Sequence, residues 1–375
     1  GITLTGTDAA DTFTVLSTAN QVAVEGITFT NVDVVAADGA TGDKGESDIV
    51  NATDIDVYLT GNDKELSTNG ILFQQIESGN VTDTHLFGSA TASDSVLVLD
   101  INEITANAIA FTGISELDLG TGGGDVTGVD GADWQLTANN KQVISSGITF
   151  SNADTLNAQN GNVIGVAARK EEFALDDNGD VTLGVNEMTF TGIDRITDNG
   201  SDSDPADSLV SNLSSSDWSL TATDNQVTHS GITITGIEVL SGGLATLNGD
   251  VDGDSSDTYS LASNGDVTVD AMTFAAMEKI VAASGTDTVQ ASAVSGINLL
   301  GSQSLSAAVT NGTTGTLIVE GIERVTDTGE ITGTSGADRF VVVDLSGDTV
   351  VQSQNIDFYG VSKVDGGDDS DTLVG

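Results

Sequence analysis

The sequence has no cysteine, a single proline, 4% aromatic residues and only 10 basic residues. Without cysteine there is no disulfide bond, no thiolate metal site and no cysteine nucleophile. Because 57 acidic residues outweigh the basic ones, the net charge is −47, which disfavours nucleic acid or an anionic membrane surface as a partner. Cations are the natural counterpart of this charge, although an acidic surface can also serve solubility alone.

Long apolar runs are also absent. No stretch can span a bilayer and none reads as a signal peptide, so we expect no membrane insertion. The chain starts at Gly1 rather than at methionine, and we expect a mature segment or a piece of a longer chain.

A ninefold internal repeat organises what is present. The apolar pattern I-x-F-x-x-I-x-x-I, as in Met272 to Ile280, returns at intervals of about 40 residues. Its aromatic position falls at Phe29, Phe73, Phe111, Phe150, Phe190, Ile234, Phe274, Val319 and Phe358. A constant period of this length is typical of stacked repeats, in which one unit cannot bury its apolar side alone. We therefore predict one continuous repeat domain over residues 1–375, with an elongated form.

Each repeat carries strand signals and a corner signal. It opens with a pattern such as Trp134-x-Leu136, passes through a polar turn such as Asn264-Gly265 into a second strand, and ends in the nine-residue pattern. The steps of two and then three between apolar positions indicate a strand followed by a bend, with glycine at or beside the bend in five copies. These features predict the all-β class and, within it, a parallel β-solenoid (β-helix).

The residue after the corner bears on the size of the coil. It is acidic in seven repeats, at Asp33, Glu77, Asp154, Asp194, Glu238, Glu278 and Glu323. One large rung per repeat would stack these carboxylates at strand spacing, where they repel. We therefore predict two rungs of about 20 residues per repeat, while a large rung that offsets or neutralises this ladder is the alternative.

The repeats also alternate in pairs. The segment from Asp133 to Phe150 recurs two repeats later, from Asp217 to Ile234, with both tryptophans in the same place. Duplication of a block of two repeats explains this recurrence.

Two acidic turns are candidate metal sites. The run Gly366-Gly-Asp-Asp-Ser-Asp-Thr-Leu373 resembles the haemolysin-type (RTX) calcium nonapeptide G-G-x-G-x-D-x-[LIV]-x, with Asp369 at the third glycine and without adjacent copies. This resemblance implies calcium at Asp368, Asp369 and Asp371. The closely spaced carboxylates of Asp250, Asp252 and Asp254 offer a hard cation a second set of oxygen ligands. Acidic turns that bind no ion are the alternative for both.

The aromatic-x-L, G-I-T-F and G-x-D-T-[LV] phrases resemble, over the whole chain, the strand repeats of very large bacterial secreted adhesins and matrix proteins. This resemblance implies a secreted or cell-surface structural protein. We expect it to serve as an adhesin, surface-layer or biofilm-matrix stalk, or as a filament subunit.

Catalytic residues are not indicated. His85 and His229 lie far apart in the chain and in different phases of the repeat, so neither a histidine pair for zinc nor a serine-histidine-aspartate triad has local support. We expect both histidines on the surface. The prediction is no enzyme. The alternative from another class is a carbohydrate-active β-helix enzyme or a tailspike-like glycan-binding module, which should break its repeat at one place with aromatic subsites.

The ends of the sequence bear on assembly. Neither end shows a capping helix, and the segment from Leu4 to Phe13 matches that from Ile331 to Phe340. We therefore expect the partners to be copies of the chain joined head to tail, or further repeats of the same chain, besides glycans or a cell surface.

Overall fold

The structure is a computed structural model that describes residues 1–7, 9–37, 47–166, 169–176, 178–184, 188–198, 206–212, 217–242, 246–250, 256–275, 277–294, 296–310, 315–345 and 347–375. These residues form two compact units. Unit 1 comprises Gly1–Val166 and Asp180–Asp194, and unit 2 comprises Ala167–Gly179 and Arg195–Gly375. The same repeat runs through both units, and a single continuous domain stays a prediction.

The regular secondary structure of the described residues is β-strand, apart from one 3-10 turn at Gly120–Gly122, and includes no α-helix. The first twenty strands are β1 Ile2–Thr5, β2 Thr12–Val15, β3 Gln21–Val24, β4 Ile27–Thr30, β5 Val32–Ala36, β6 Ile49–Thr53, β7 Val57–Leu59, β8 Glu65–Thr68, β9 Ile71–Gln74, β10 Ser78–Thr82, β11 His85–Phe87, β12 Asp94–Asp100, β13 Glu103–Ala106, β14 Ile109–Thr112, β15 Glu116–Asp118, β16 Gly124–Thr127, β17 Asp133–Leu136, β18 Gln142–Ser145, β19 Ile148–Ser151 and β20 Thr155–Ile164.

The remaining strands are β21 Glu172–Leu175, β22 Val181–Leu183, β23 Met188–Thr197, β24 Ser208–Ser211, β25 Trp218–Leu220, β26 Gln226–His229, β27 Ile232–Thr235, β28 Val239–Gly242, β29 Thr246–Asn248, β30 Thr258–Leu261, β31 Val267–Val269, β32 Met272–Ala275, β33 Lys279–Val281, β34 Thr288–Gln290, β35 Ile297–Gly301, β36 Ser304–Ala308, β37 Thr316–Glu320, β38 Arg324–Thr326, β39 Gly329–Thr332, β40 Arg339–Leu345, β41 Asp348–Ser353, β42 Ile356–Tyr359, β43 Val361–Asp365 and β44 Thr372–Val374.

The strands wind as a β-solenoid of about ten turns, which confirms the predicted fold class. Parallel neighbours stack core residue upon core residue: Phe13 pairs with Val50, Val50 with Gly79, and Gly79 with Phe111. As the numbers of these partners show, one step along the stack takes about 30 to 40 positions of the chain. The coil is therefore longer than the predicted rung of half a repeat.

The longer coil arises because each repeat folds back on itself. The opening strand, the second strand and the strand of the nine-residue pattern form an antiparallel meander, such as β30–β31–β32. The predicted turn at Asn264-Gly265 joins the first two of these strands, with Gly265 at a φ of 91°. Two further strands of each repeat pair only in parallel with their neighbours. The solenoid thus mixes parallel stacking with antiparallel meanders.

The meanders alternate between two stacks of strands, and this alternation accounts for the recurrence of sequence in every second repeat. The repeats are numbered in chain order. In unit 1, the odd stack contains the meanders of repeats 1 and 3 together with β6, β10 and β16. The even stack contains the meanders of repeats 2 and 4 together with β1, β5, β11 and β15. In unit 2, the odd stack contains β21, β24, β28, β34, β38 and β44 beside the meanders of repeats 7 and 9. The even stack of unit 2 contains the meanders of repeats 6 and 8. Equivalent environments therefore return every second repeat.

A single left-handed residue makes the predicted corner. Two residues after the aromatic position, every described copy has a positive φ, whether glycine or not: Asn31, Gln75, Gly113, Asn152, Gly192, Gly236, Gly321 and Gly360. Glycine adopts this conformation without strain, and asparagine tolerates it better than most residues. The change of direction sends the chain from one stack to the other, as after β32, whose chain resumes at β33 in the even stack.

The core lies between the two stacks. In unit 1, Phe13 of the odd stack meets Phe73 of the even stack edge to face, with ring centroids 6.2 Å apart. In unit 2, Trp218 and Phe274 repeat this contact at 6.1 Å. Twelve aromatic side chains are fully buried in this way, so aromatic burial drives the stacking. Within the described ranges, no helix has the length and apolar character needed to cross a bilayer.

Candidate metal centre in the carboxylate ladders

Acidic residues stand one position before odd-stack strands and form ladders along the stack. The backbone N–H of each donates to the carboxylate on the next strand. Asp11 donates to Asp48 Oδ1 at 2.6 Å, and Asp48 donates to Glu77 Oε2 at 3.0 Å. The same bonds link Glu171, Asp207 and Glu238, then Asp257, Asp287 and Glu323, and finally Asp338 and Asp371. Each N–H donor stabilises a carboxylate that would otherwise face only its like-charged neighbours.

Six ladder members are buried, at Asp48, Glu171, Asp207, Asp257, Asp287 and Asp338, and burial makes their ionisation costly. Asp287 is 1% exposed, and burial raises its pKa to about 6. The charges of Asp257 and Glu323 also raise this pKa, whereas the hydrogen bond from the N–H of Asp257 lowers it. Burial likewise raises the pKa of Asp257. The ladders therefore store negative charge that a proton or a metal cation can neutralise.

One ladder continues into a cluster that could hold a metal ion. Glu171, Asp198 and Asp207 each offer a carboxylate oxygen, and these oxygens lie within 4.8 Å of one another. No other set of three or more acidic or histidine residues comes together this closely among the described residues. Glu171 and Asp207 are almost fully buried, and all three belong to unit 2.

Asp198 makes this corner different from the others. Its N–H donates to the carbonyl of Thr235, and the residues that make the equivalent bond after seven other even-stack strands have no polar side chain: Gly6, Ala37, Gly88, Leu119, Gly249, Ala282 and Gly333. At position 198 a carboxylate replaces this apolar residue and reaches the ladder members Glu171 and Asp207. The third acidic group of the cluster therefore results from one local exception to the repeat.

The electrostatics of the cluster favour a divalent cation. Burial is the main cause that raises the pKa of Asp207 to about 8. The hydrogen bond and charge of Asp198 and the charge of Glu171 also raise this pKa, whereas the hydrogen bond from the N–H of Glu171 lowers it. Arg169 Nε lies 3.0 Å from Glu171 Oε1. When all three carboxylates are ionised, they and the guanidinium sum to two negative charges. The donors are all oxygen, so they suit a hard cation such as Ca²⁺ or Mg²⁺.

The predicted calcium ligands lie elsewhere. Asp368, Asp369 and Asp371 are exposed near β44 and do not form a cluster of this kind. Asp371 Oδ1 accepts the N–H of Asp338 as the last ladder member, and Asp369 Oδ1 accepts the N–H of Ser370. Asp250 is buried, whereas Asp252 and Asp254 lie outside the described residues. Calcium at either turn stays a prediction.

Sequence reasoning missed the cluster because only stacking brings Glu171 next to the other two members. Asp198 follows β23 and Asp207 precedes β24, whereas Glu171 precedes β21, which pairs with β24. A local signal existed, since Glu171 and Asp207 stand two positions before a core residue, as Asp371 does before Leu373. An acidic residue at this place occurs before most strands of the odd stack, so it does not show which of them takes part in a cluster of three carboxylates.

The two histidines differ from the expectation. His85 is exposed, as predicted, and pairs with Glu116 at 2.8 Å. His229, however, is 1% exposed, so its predicted surface position is wrong. Its ring stacks on Trp218 with centroids 3.9 Å apart, and its ring nitrogens contact Ser211 Oγ and the Asp217 carbonyl. It replaces a core residue of β26 and is part of the packing.

Comparisons with protein-family models, with curated protein sequences and with solved structures find no match to this chain. Its chemistry must therefore be inferred from its own residues.

Proposed function

We propose that the chain is an extracellular structural protein: a β-solenoid of an adhesin, surface layer or matrix that continues end to end through its outermost strands. The supporting observation is apolar exposure at core positions. Ile27 on β4 is 62% exposed, whereas Ile71, Ile109 and Ile148 at the same place in repeats 2 to 4 are fully buried. In unit 2, Leu373 on β44 is 68% exposed, although its neighbour Phe340 is buried.

These strands also offer free backbone edges. Within the described chain, β4 pairs only with β3, and β44 pairs only with β40. An added strand would satisfy the open edge and bury the apolar side chains, each worth about 1.5–3 kcal/mol when fully covered. The occupant we propose is a strand of the same kind, from another copy or from further repeats of the chain. The role we propose is assembly rather than catalysis.

Concentration-dependent association tests this proposal. We expect sedimentation velocity at up to about 100 µM to show head-to-tail oligomers, and electron microscopy to show them as extended particles. Ile27→Lys and Leu373→Lys should each abolish association because they place a charge where the added strand would cover an apolar side chain. Ile101→Lys is the matched control, since Ile101 is 68% exposed but lies in the turn between β12 and β13. A wild-type chain that stays monomeric over the whole concentration range would contradict the proposal.

We further propose that calcium at Glu171, Asp198 and Asp207 stiffens the solenoid. The support is the convergence of three carboxylates beside a ladder, with a net charge that one divalent ion neutralises. Calcium also tolerates irregular oxygen coordination, as expected where Glu171 and Asp207 precede different strands. Because metal binding displaces the proton of Asp207, the apparent affinity should rise with pH up to about 8.

Calorimetry with chelator and with Ca²⁺ tests this second proposal. Calcium should raise the thermal midpoint of the wild type. At a free calcium concentration of a hundred times Kd, binding adds about 2.7 kcal/mol to the free energy of unfolding. Asp207→Asn should remove the shift. Asp287→Asn is the matched control because Asp287 has the same ladder position, and the described residues form no cluster of three acidic ligands there. An equal calcium shift in all three proteins would contradict the assignment.

A further inference from the structure

Aromatic side chains face outward at one place in unit 1, which breaks the repeat. Of the 16 aromatic residues in the sequence, 12 are fully buried, and the remaining four are Phe29, Tyr58, Phe87 and Tyr359. Phe29 occupies a core position on the outermost meander strand. Tyr58 and Phe87 are register partners on β7 and β11, one position away from the buried pair Val57 and Leu86. They therefore stand on the outer surface of the even stack, where the core does not need them.

These two rings form a platform. Their planes are 14° apart and their centroids are 5.0 Å apart, so they stack in parallel along the solenoid. Tyr58 is 44% exposed. His85, also on β11, lies with its ring centroid 6.1 Å from that of Phe87. A stacked pair held on a β-sheet presents a rigid, flat apolar surface to a ligand.

Polar groups continue the surface beyond Phe87. Along the outward row, Phe87 pairs with Asp118 of β15, which pairs with Ser151 of β19. A cavity of about 130 Å³ lies here, with Phe87, His85, Glu116 and Asp118 in its wall. Glu116 Oε2 accepts from His85 Nε2 at 2.8 Å, which fixes the carboxylate beside the aromatic platform.

A second cavity, of about 460 Å³, shares Asp118 with the first. Its wall includes Lys141, Asn152 and Asp154 and the backbone of the Gly120–Gly122 turn, the only helical turn in the described chain. Asn152 Nδ2 donates to Asp118 Oδ1 at 2.6 Å, and Lys141 Nζ lies 4.0 Å from Asp154 Oδ1.

We propose that this groove, from Tyr58 and Phe87 to Lys141 and Asp154, binds a neutral saccharide. The apolar face of a sugar ring suits stacking on Phe87, because the ring has C–H groups on one side and hydroxyls at its edge. Each hydroxyl both donates and accepts, so it can use carboxylates such as Glu116 and Asp118 together with donors such as Lys141 and Asn152.

The charges argue against two other ligand classes. A uronic acid would meet the carboxylates of Glu116, Asp118 and Asp154. A basic peptide would be attracted by those carboxylates and by the aromatic platform. Its positive charges would, however, be repelled by Lys141, and they would offer the Asn152 amide no acceptor in addition to Asp118. This inference does not depend on the assembly or calcium proposals, because the groove shares no residue with β4, β44 or the metal cluster.

Saturation-transfer NMR and calorimetry test the inference with neutral gluco-, galacto-, manno- and N-acetylglucosamine oligosaccharides at up to about 10 mM. We expect at least one to bind saturably. Phe87→Thr, which places an ordinary outward strand residue there, should weaken that binding about tenfold or more. Tyr359→Thr is the matched control, since it removes an outward aromatic ring in unit 2. Circular dichroism confirms folding, and Asp118→Asn, which alters the polar wall alone, should also weaken binding.

Three outcomes would overturn the inference. They are the absence of saturable binding by every neutral oligosaccharide, binding by Phe87→Thr and Asp118→Asn that matches the wild type, and tighter binding of an arginine- or lysine-rich peptide or a uronic-acid oligomer than of any neutral sugar.

Discussion

Replacing Asp287 by asparagine should make the protein more stable at pH 8 and remove part of its pH dependence. Asp287 is the middle carboxylate of a buried ladder. Its Oδ1 accepts the N–H of Asp257, and its own N–H donates to Glu323. Within the described residues, its Oδ2 has no hydrogen-bond partner. Asparagine keeps the shape and the Oδ1 acceptor but removes a charge that burial disfavours.

The magnitude follows from linkage. A pKa raised from 3.8 to about 6 means that ionising Asp287 costs the folded state about 3 kcal/mol more than the unfolded chain. The sign is that of a raised carboxyl pKa: the cost is absent below about pH 4, grows as pH rises, and is complete above about pH 6 to 7. Between pH 5 and pH 8 the cost grows by about 1.5 kcal/mol. The wild type should lose this amount, and Asp287→Asn should not.

Urea unfolding in the presence of a chelator, at pH 5 and at pH 8, measures this difference. We expect the variant to exceed the wild type by about 1–3 kcal/mol at pH 8 and by less at pH 5, with unchanged urea dependence. Asp125→Asn is the control because Asp125 is an exposed residue on β16, outside the ladders. A variant that is less stable than the wild type at pH 8 would refute the reasoning, since it would mean that the ionised carboxylate is stabilising.

Three other substitutions or measurements follow from the packing. Gly321→Ala should lower the free energy of unfolding by at least about 1 kcal/mol more than Gly26→Ala. Both glycines have a positive φ, but only at Gly321 would a Cβ meet a backbone atom, the Ala282 carbonyl oxygen at 2.4 Å; equal thermal midpoints would contradict this. Burial lowers the pKa of His229, so ¹⁵N NMR at pH 6 should show a larger neutral fraction of its imidazole in the folded protein than in the unfolded chain. Stability should fall as pH drops below 6.5, and a ring that is more protonated in the folded protein than in the unfolded chain would disprove this. Phe274→Ala should lower the free energy of unfolding in urea by about 3–5 kcal/mol, because Phe274 packs against Trp218 in the core between the two stacks. Tyr359→Ala, which removes an outward ring, should lower it much less, and equal losses would contradict a core shared by the two stacks.

Much of the fold was predictable because it is local and repeated. The spacing in Met272 to Ile280 predicts a strand and a corner, and the structure has β32, a change of stack and β33 at those positions. The left-handed residue at the corner is visible in the sequence as glycine at Gly236 or Gly321. The rung length was not predictable, because it depends on which strands pair, and the antiparallel meander in every repeat lengthens the coil beyond half a repeat.

The candidate sites show a sharper limit. The predicted calcium ligands were residues adjacent in sequence, such as Asp368 and Asp369, whereas the cluster that forms joins Asp198 and Asp207 to Glu171, which precedes the neighbouring strand β21. The aromatic platform likewise joins Tyr58 and Phe87, whose neighbourhood follows from the pairing of β7 with β11. In both places the sequence contains the residues, but their distance is a property of the stack.

The sequence by itself determined the β class, the repeat, the corners and the acidic surface. These are consequences of apolar spacing, glycine placement and composition, all of which act within a few residues. Tertiary structure decided the alternation of odd and even stacks, the burial of the carboxylate ladders and the position of every candidate site. The physical reason is that stacking places residues about 30 to 40 positions apart on neighbouring strands, about 4.8 Å from each other, and only the register of that stacking fixes which side chains meet.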